Sequence, residues 1–129
     1  MEDFSKNEGY IWFDGELINW RDAKVHVLTH GLHYASSVFE GERCYDGKIF
    51  REIEHTKRLH HSANTLGFKI PYSVEEICEI RKIVLEANKI KNGYIRPVAW
   101  RGSEMMGISA QKNTIHLAVA AWEWPSYYS

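Results

Sequence analysis

Two Asp-Gly pairs constrain this chain more than any other feature. Asp14-Gly15 separates the apolar runs YIWF and ELINW, and Asp46-Gly47 separates VFEGERCY from KIFRE. An Asp-Gly pair accepts the positive φ values of a type I′ turn, so each pair of runs is expected to close as an antiparallel hairpin. Further on, TIHLAVAAWEW is almost continuously apolar and predicts a strand buried on both faces. YIRPVAWR predicts another strand. Pro97 within it points to an edge or a bulge, because proline has no N–H to give a ladder.

Two helices are expected between the hairpins and these strands. In IEHTKRLHHSANTLGF, the residues Ile53, Leu59, Ala63 and Leu66 fit one side of a helix, and Gly67 suits its stop. Ser73 and Glu76 form a capping-box pattern, followed at helical spacing by Val74, Ile77, Ile80, Val84 and Ala87. Asn92-Gly93 can end that segment. RDAKVHVLTHGLHYAS settles into no single period, and its C-terminal part reads as a loop. The order ββ–ββ–αα–ββ predicts an α+β domain, a mostly antiparallel sheet with two helices packed on it. The 129 residues suffice for one such domain with a real core.

Charge and motifs exclude several classes. Sixteen basic residues against seventeen acidic ones, with no basic stripe, argue against nucleic-acid binding. No run approaches the roughly 18 apolar residues of a membrane helix. The polar, acidic start lacks the head and apolar stretch of a signal peptide, so a cytoplasmic protein is expected. Two cysteines build no disulfide framework or zinc spacing. His30 with His33, and His60 with His61, lack the further ligands that a metal site needs. Glycine-rich phosphate loops and nucleophile elbows are absent.

The second hairpin is the unusual one. Strand alternation puts Ser37, Phe39, Gly41, Arg43 and Tyr45 on one face, and Val38, Glu40, Glu42 and Cys44 on the other. Gly41 packs nothing, and is worth having where a ligand or another backbone comes close. Flanked by Phe39 and Arg43, it reads as the floor of a site for an anion with an apolar part. A β-bulge at Gly41, with Arg43 in an exposed ion pair, reads equally well. Tyr94 and Arg96 share a strand face and suit a carboxylate, while an exposed edge arginine is the commoner explanation. Lys57, Arg58, His60 and His61 form a basic cluster that suits a phosphate or simply a solvated helix face.

The stretch YIWFDGELINWRDAKVHVLTHGLHYASSVFEGERCYDGKIFREIEHTKRLHHSA resembles the N-terminal part of branched-chain amino acid aminotransferases. NGYIRPVAWRG and AVAAWEW continue the likeness in the same order, over roughly residues 10 to 128. The run H-Y-x-x-S-V-F-E-G-x-R-C-Y is its most specific part. These are fold-type IV enzymes that use pyridoxal 5′-phosphate.

The resemblance implies that Arg58 holds the cofactor phosphate. It implies that Tyr34, Phe39, Gly41, Arg43, Tyr94, Arg96, Trp124 and Tyr127 surround the substrate. Arg96 would meet the distal carboxylate of glutamate, and the rings would form a wall for a branched side chain. The loop GSEMMGIS, here less typical in wording, would bring Ile108 toward a neighbouring subunit's site. Glu40, on the other face, is read as structural, holding a neighbouring arginine or the loop backbone.

The resemblance also implies what these residues do not contain. In the family the lysine that carries the cofactor lies in a following, larger domain, and Lys24, Lys57 and Lys112 match no catalytic position. Residues 1–129 are therefore expected to be the small N-terminal domain, inactive alone, with weak or absent cofactor binding and an aromatic end prone to self-association. The parent protein would move amino groups between leucine, isoleucine or valine and 2-oxoglutarate, as a homo-oligomer. The alternatives are a stand-alone ligand-binding or dimerisation module that reuses the fold and, less well supported, a histidine-based metal protein.

Overall fold

A computed structural model describes residues 3–124. Both Asp-Gly hairpins form. β1 (Tyr10–Phe13) pairs with β2 (Glu16–Asn19). After β3 (Ser37–Phe39), β4 (Glu42–Tyr45) pairs with the two-residue β5 (Lys48–Ile49). Asp14 and Gly15 have φ of 49° and 111°, and Asp46 and Gly47 have 51° and 79°. Two positive φ values in succession are what such tight turns require.

Two long strands, β6 (Gly93–Arg101) and β7 (Ile115–Glu123), form the middle of one antiparallel sheet. Its order is β2-β1-β7-β6-β4-β5, with β3 also paired to β6. β7 has a strand on each side, but the burial expected on both of its faces is incomplete: Leu117, Val119 and Ala121 are buried against the helices, while on the other face His116, Ala120 and Trp122 are half-buried.

Pro97 corrects two expectations. Phe39 lies opposite Val98 and Glu42 opposite Ile95, so the register steps by three residues on both strands across the gap. No extra residue is inserted, and Gly41 is not a bulge. Glu40 donates its N–H to the Pro97 carbonyl at 3.1 Å. The return bond is impossible without a proline N–H, which separates β3 from β4. Pro97 therefore sits inside a central strand rather than at an edge. Its missing donor affects one ladder position only.

The helices α2 (Glu52–Thr65) and α3 (Val74–Ala87) cover one face of the sheet. Leu59, Ala63, Ile77, Ile80 and Val84 pack there against Val38, Cys44, Ile95, Leu117 and Val119. Helix α3 begins with the predicted capping box, Glu76 N–H to Ser73 Oγ at 3.1 Å and Ser73 N–H to Glu76 Oε1 at 2.9 Å. Helix α2 stops before Gly67, whose φ is 83°.

Ile53 and Leu66, expected in the core, are 44% and 45% exposed. Both lie at the ends of α2, past the stretch that packs on the sheet. The buried positions of α2 are Thr56, Leu59 and Ala63. Thr56 is inside because Arg81 is inside. The Arg81 side chain is fully buried, bonded to Glu42 at 2.7 and 2.6 Å and to the Thr56 hydroxyl at 2.6 Å.

A short helix, α1 (His30–Tyr34), stands where a loop is expected. It lies against Trp100 on the other face of the sheet. Gly31 makes that approach feasible, since a Cβ there would come within 3.1 Å of the Ser36 carbonyl and 3.3 Å of Trp100 Cβ. The chain then turns at Ala35, with φ of 57°.

Candidate functional site

The sheet face away from α2 and α3 gathers most of the residues that the sequence singles out. Strand register sets Arg43 opposite Tyr94, and Tyr94 opposite Trp122. Tyr94 Oη accepts a hydrogen bond from Arg96 Nη2 at 2.7 Å. The Arg96 guanidinium lies 4.2 Å from the centre of the Phe39 ring, a cation–π contact. Tyr94 stacks on Trp122 at 4.8 Å between centroids and meets Trp124 at 5.0 Å.

Gly41 is the floor beneath this set. A Cβ on Gly41 would overlap Tyr94 Oη and stand 3.0 Å from Cζ. The close neighbour foreseen at this glycine is therefore a phenol of the protein itself. Arg96, and not Arg43, is the cation beside Phe39. Arg43 turns the other way, 5.4 Å from the Tyr45 ring and 5.7 Å from that of Trp124, and reaches the Trp124 carbonyl at 3.4 Å.

Glu40 and Glu42 point to the opposite face. Among the described residues neither Arg43 nor Arg96 has a carboxylate partner. The face is thus cationic and aromatic together. A groove of about 400 Å³ opens beside it, with Phe13, Val25, Leu32, Arg96, Trp100 and Trp122 among its walls.

Helix α1 brings Tyr34 and the loop of Ile108 together. Tyr34 Oη donates to the Met106 carbonyl at 3.0 Å. His30, 2% exposed, approaches the Gly107 and Ile108 carbonyls through Nε2 at 2.9 and 3.2 Å. Carbonyls only accept, so Nε2 carries the hydrogen, and Nδ1 accepts from the Ser36 hydroxyl at 2.6 Å. The Ile108 side chain is 81% exposed. From sequence, His30 is weighed only as a metal ligand. Its i, i+4 spacing from Tyr34 is the available signal that both reach one loop.

Arg58 lies apart from this face, on α2. Its Nε and Nη2 grip the two oxygens of Glu40 at 2.8 and 2.7 Å, and His55 Nδ1 donates to the same carboxylate at 2.6 Å. Burial works against charge on Glu40, but the Arg58 and His55 hydrogen bonds outweigh it and hold its carboxyl below the usual range. Glu40 therefore holds a neighbouring arginine, one of the two structural roles foreseen for it. Tyr127 lies outside the described residues.

A mostly antiparallel sheet with two helices on one face is an architecture that this chain shares with solved structures of one aminotransferase class. The family model described as Amino-transferase class IV matches residues 37–129, and the chain belongs to that family. It is 51% identical over 115 residues to the probable branched-chain-amino-acid aminotransferase of Rickettsia bellii, covering 89% of this chain and 40% of that protein. The crystal structure of the Escherichia coli branched-chain amino acid aminotransferase superimposes with a TM-score of 0.87 at 41% identity, covering 95% of this chain and 42% of that one. A T.th. branched-chain amino acid aminotransferase, solved with pyridoxamine 5′-phosphate, gives a TM-score of 0.89 at 41% identity, again covering 95% and 42%. The chain spans about two fifths of the length of the curated relatives it matches.

The residues present fit one end of such a cofactor. Arg58, fixed along one edge, keeps Nη1 unengaged among the described residues and fits a phosphate. The aldehyde end needs a lysine amine in a sheltered place, and every lysine here is exposed.

Proposed function

We propose that the open face of this sheet is the substrate side of a pyridoxal-phosphate transaminase pocket. The protein these residues belong to would exchange amino groups between leucine, isoleucine or valine and 2-oxoglutarate. The observation that carries this reading is the Phe39–Arg96–Tyr94 set over Gly41. It offers a branched side chain the rings of Phe39, Tyr94 and Trp122. It offers a distal carboxylate the Arg96 fork, with the Tyr94 phenol beside it.

One surface serves both substrates because Arg96 is exposed and, among the described residues, has no acidic partner to release. Leaving the Phe39 ring costs a surface cation–π contact of about 0.5–1 kcal/mol, less than a bidentate carboxylate returns. Arg43 holds the strand end near Trp124, which with Tyr34, Ile108 and Tyr127 would complete the walls. Arg58 would take the cofactor phosphate. The cofactor, when bound, supplies the electron sink that labilises the substrate Cα–H bond. What this chain's residues do is bind, orient and exclude water.

Residues 1–129 are read as the small N-terminal domain of a two-domain, homo-oligomeric cytoplasmic enzyme, with the cofactor-linking lysine outside them. Two facts support this: the relatives are more than twice as long, and no lysine here is sheltered. The chain by itself would be inactive. Mixing it with pyridoxal phosphate, reducing with borohydride and mapping lysines by mass spectrometry tests this. Low, scattered labelling is expected. Stoichiometric labelling of a single lysine would overturn it.

A further inference from the structure

Glu40 occupies an unusual junction. Its backbone lies in the gap between β3 and β4, held by its N–H on the Pro97 carbonyl. Its side chain, 4% exposed, passes to the helical side and meets Arg58 and His55. The next residue, Gly41, is the floor of the open face. One peptide unit therefore connects the anion-binding arginine of α2 with the substrate face. The two lie on opposite sides of the sheet.

Arg58 needs such a partner. Its side chain is 66% exposed, and a long exposed arginine on a helix ordinarily samples many rotamers. Here two parallel N–H···O bonds to a buried carboxylate fix the plane of the guanidinium and leave the Nη1 edge turned away from Glu40. His55 supplies a third donor to Glu40, on the oxygen that also accepts from Arg58 Nη2. An arginine set in place beforehand loses less freedom when an anion arrives.

We propose that Glu40 and His55 are positioning residues for Arg58, presenting its free edge to a phosphate monoester and coupling that site to Gly41. The inference rests on the reading of Arg58 as the cofactor-phosphate arginine. Neither residue touches the phosphate. Glu40 acts by fixing the guanidinium, and His55 by fixing Glu40.

The ¹H–¹⁵N signal of Arg58 Nε in the intact chain reports both parts. In the unaltered protein it is expected as a distinct, slowly exchanging resonance. It should move on titration with millimolar pyridoxamine 5′-phosphate, the range that suits the weak binding expected of this chain alone, with a smaller shift at the Gly41 amide. Glu40→Gln keeps the shape and removes the charge. It should broaden the Nε signal and weaken the apparent affinity about tenfold. His55→Gln should weaken it about two- to threefold, and serves if Glu40→Gln does not fold. Arg58→Gln should abolish the response at Gly41. Equal Nε signals and affinities in the unaltered, Glu40→Gln and His55→Gln chains would overturn the proposal and leave the Arg58 assignment standing. No Arg58 response in any of them would overturn the assignment and the proposal with it.

Discussion

The Tyr94 phenol fills the space over Gly41 that any side chain there would need. A Cβ would overlap the phenol oxygen and press on the ring at 3.0 Å, so the glycine and the tyrosine require each other. This pairing gives the open face its floor. It also leaves the Arg96 guanidinium free to lie on Phe39.

Gly41→Ala is expected to destabilise the chain by about 1–3 kcal/mol, the usual cost of overpacking. The clash is with Tyr94 Oη first, so Tyr94→Phe in the same chain should return part of the loss. A double-mutant cycle in urea, read by tryptophan fluorescence, should show coupling of about 1 kcal/mol between the two sites. Additive effects would mean that Gly41 answers to something other than Tyr94.

Arg81 and Glu42 behave as one buried unit with Thr56. Arg81→Met alone leaves a carboxylate stranded in the core and should cost about 3–5 kcal/mol. Replacing both, as Arg81→Met with Glu42→Leu, should cost clearly less, because no charge then lacks a partner. Thermal denaturation of the two variants side by side gives the comparison.

Acid should weaken the fold in two separate windows. His60 Nε2 is buried without a hydrogen-bond partner among the described residues. Burial holds this imidazole below its ordinary value of 6.5. The unfolded chain therefore binds the proton first, and stability falls as pH drops below about 6.5 toward the lowered value. Glu40 is also lowered, from 4.5, so its contribution is present above that pH and is lost as pH falls through its folded value. Urea midpoints across this range should show both declines. His60→Leu should remove the upper one and Glu40→Gln the lower.

How far the sequence can be read follows from the same residues. Asp14-Gly15, Asp46-Gly47 and the Ser73–Glu76 box are local signals, and the elements they predict form where expected. Pro97 misleads because its cost depends on which neighbour faces its missing N–H, which only the sheet order settles. Arg81 escapes notice because periodicity counts arginine as surface, and nothing local announces that Glu42 and Thr56 will meet it. Phe39, Gly41 and Arg43 on one strand, and Tyr94 and Arg96 on another, are legible as two groups because strand alternation assigns faces, and only the family resemblance joins them. That Arg96 rather than Arg43 lies on Phe39 needs the register of β3 against β6. The short helix α1 is hidden because five residues carry too little pattern to stand out.

The most direct test of the account joins this chain to the part of the Rickettsia bellii relative that lies beyond the matched segment. The chimera and the chain alone are assayed together for glutamate formation from leucine and 2-oxoglutarate, with pyridoxal phosphate added. The account predicts turnover by the chimera and none by the chain. Within the chimera, Arg96→Met should impair 2-oxoglutarate use more than leucine use. Turnover by the chain alone, or a folded and cofactor-loaded chimera with no activity, would contradict it.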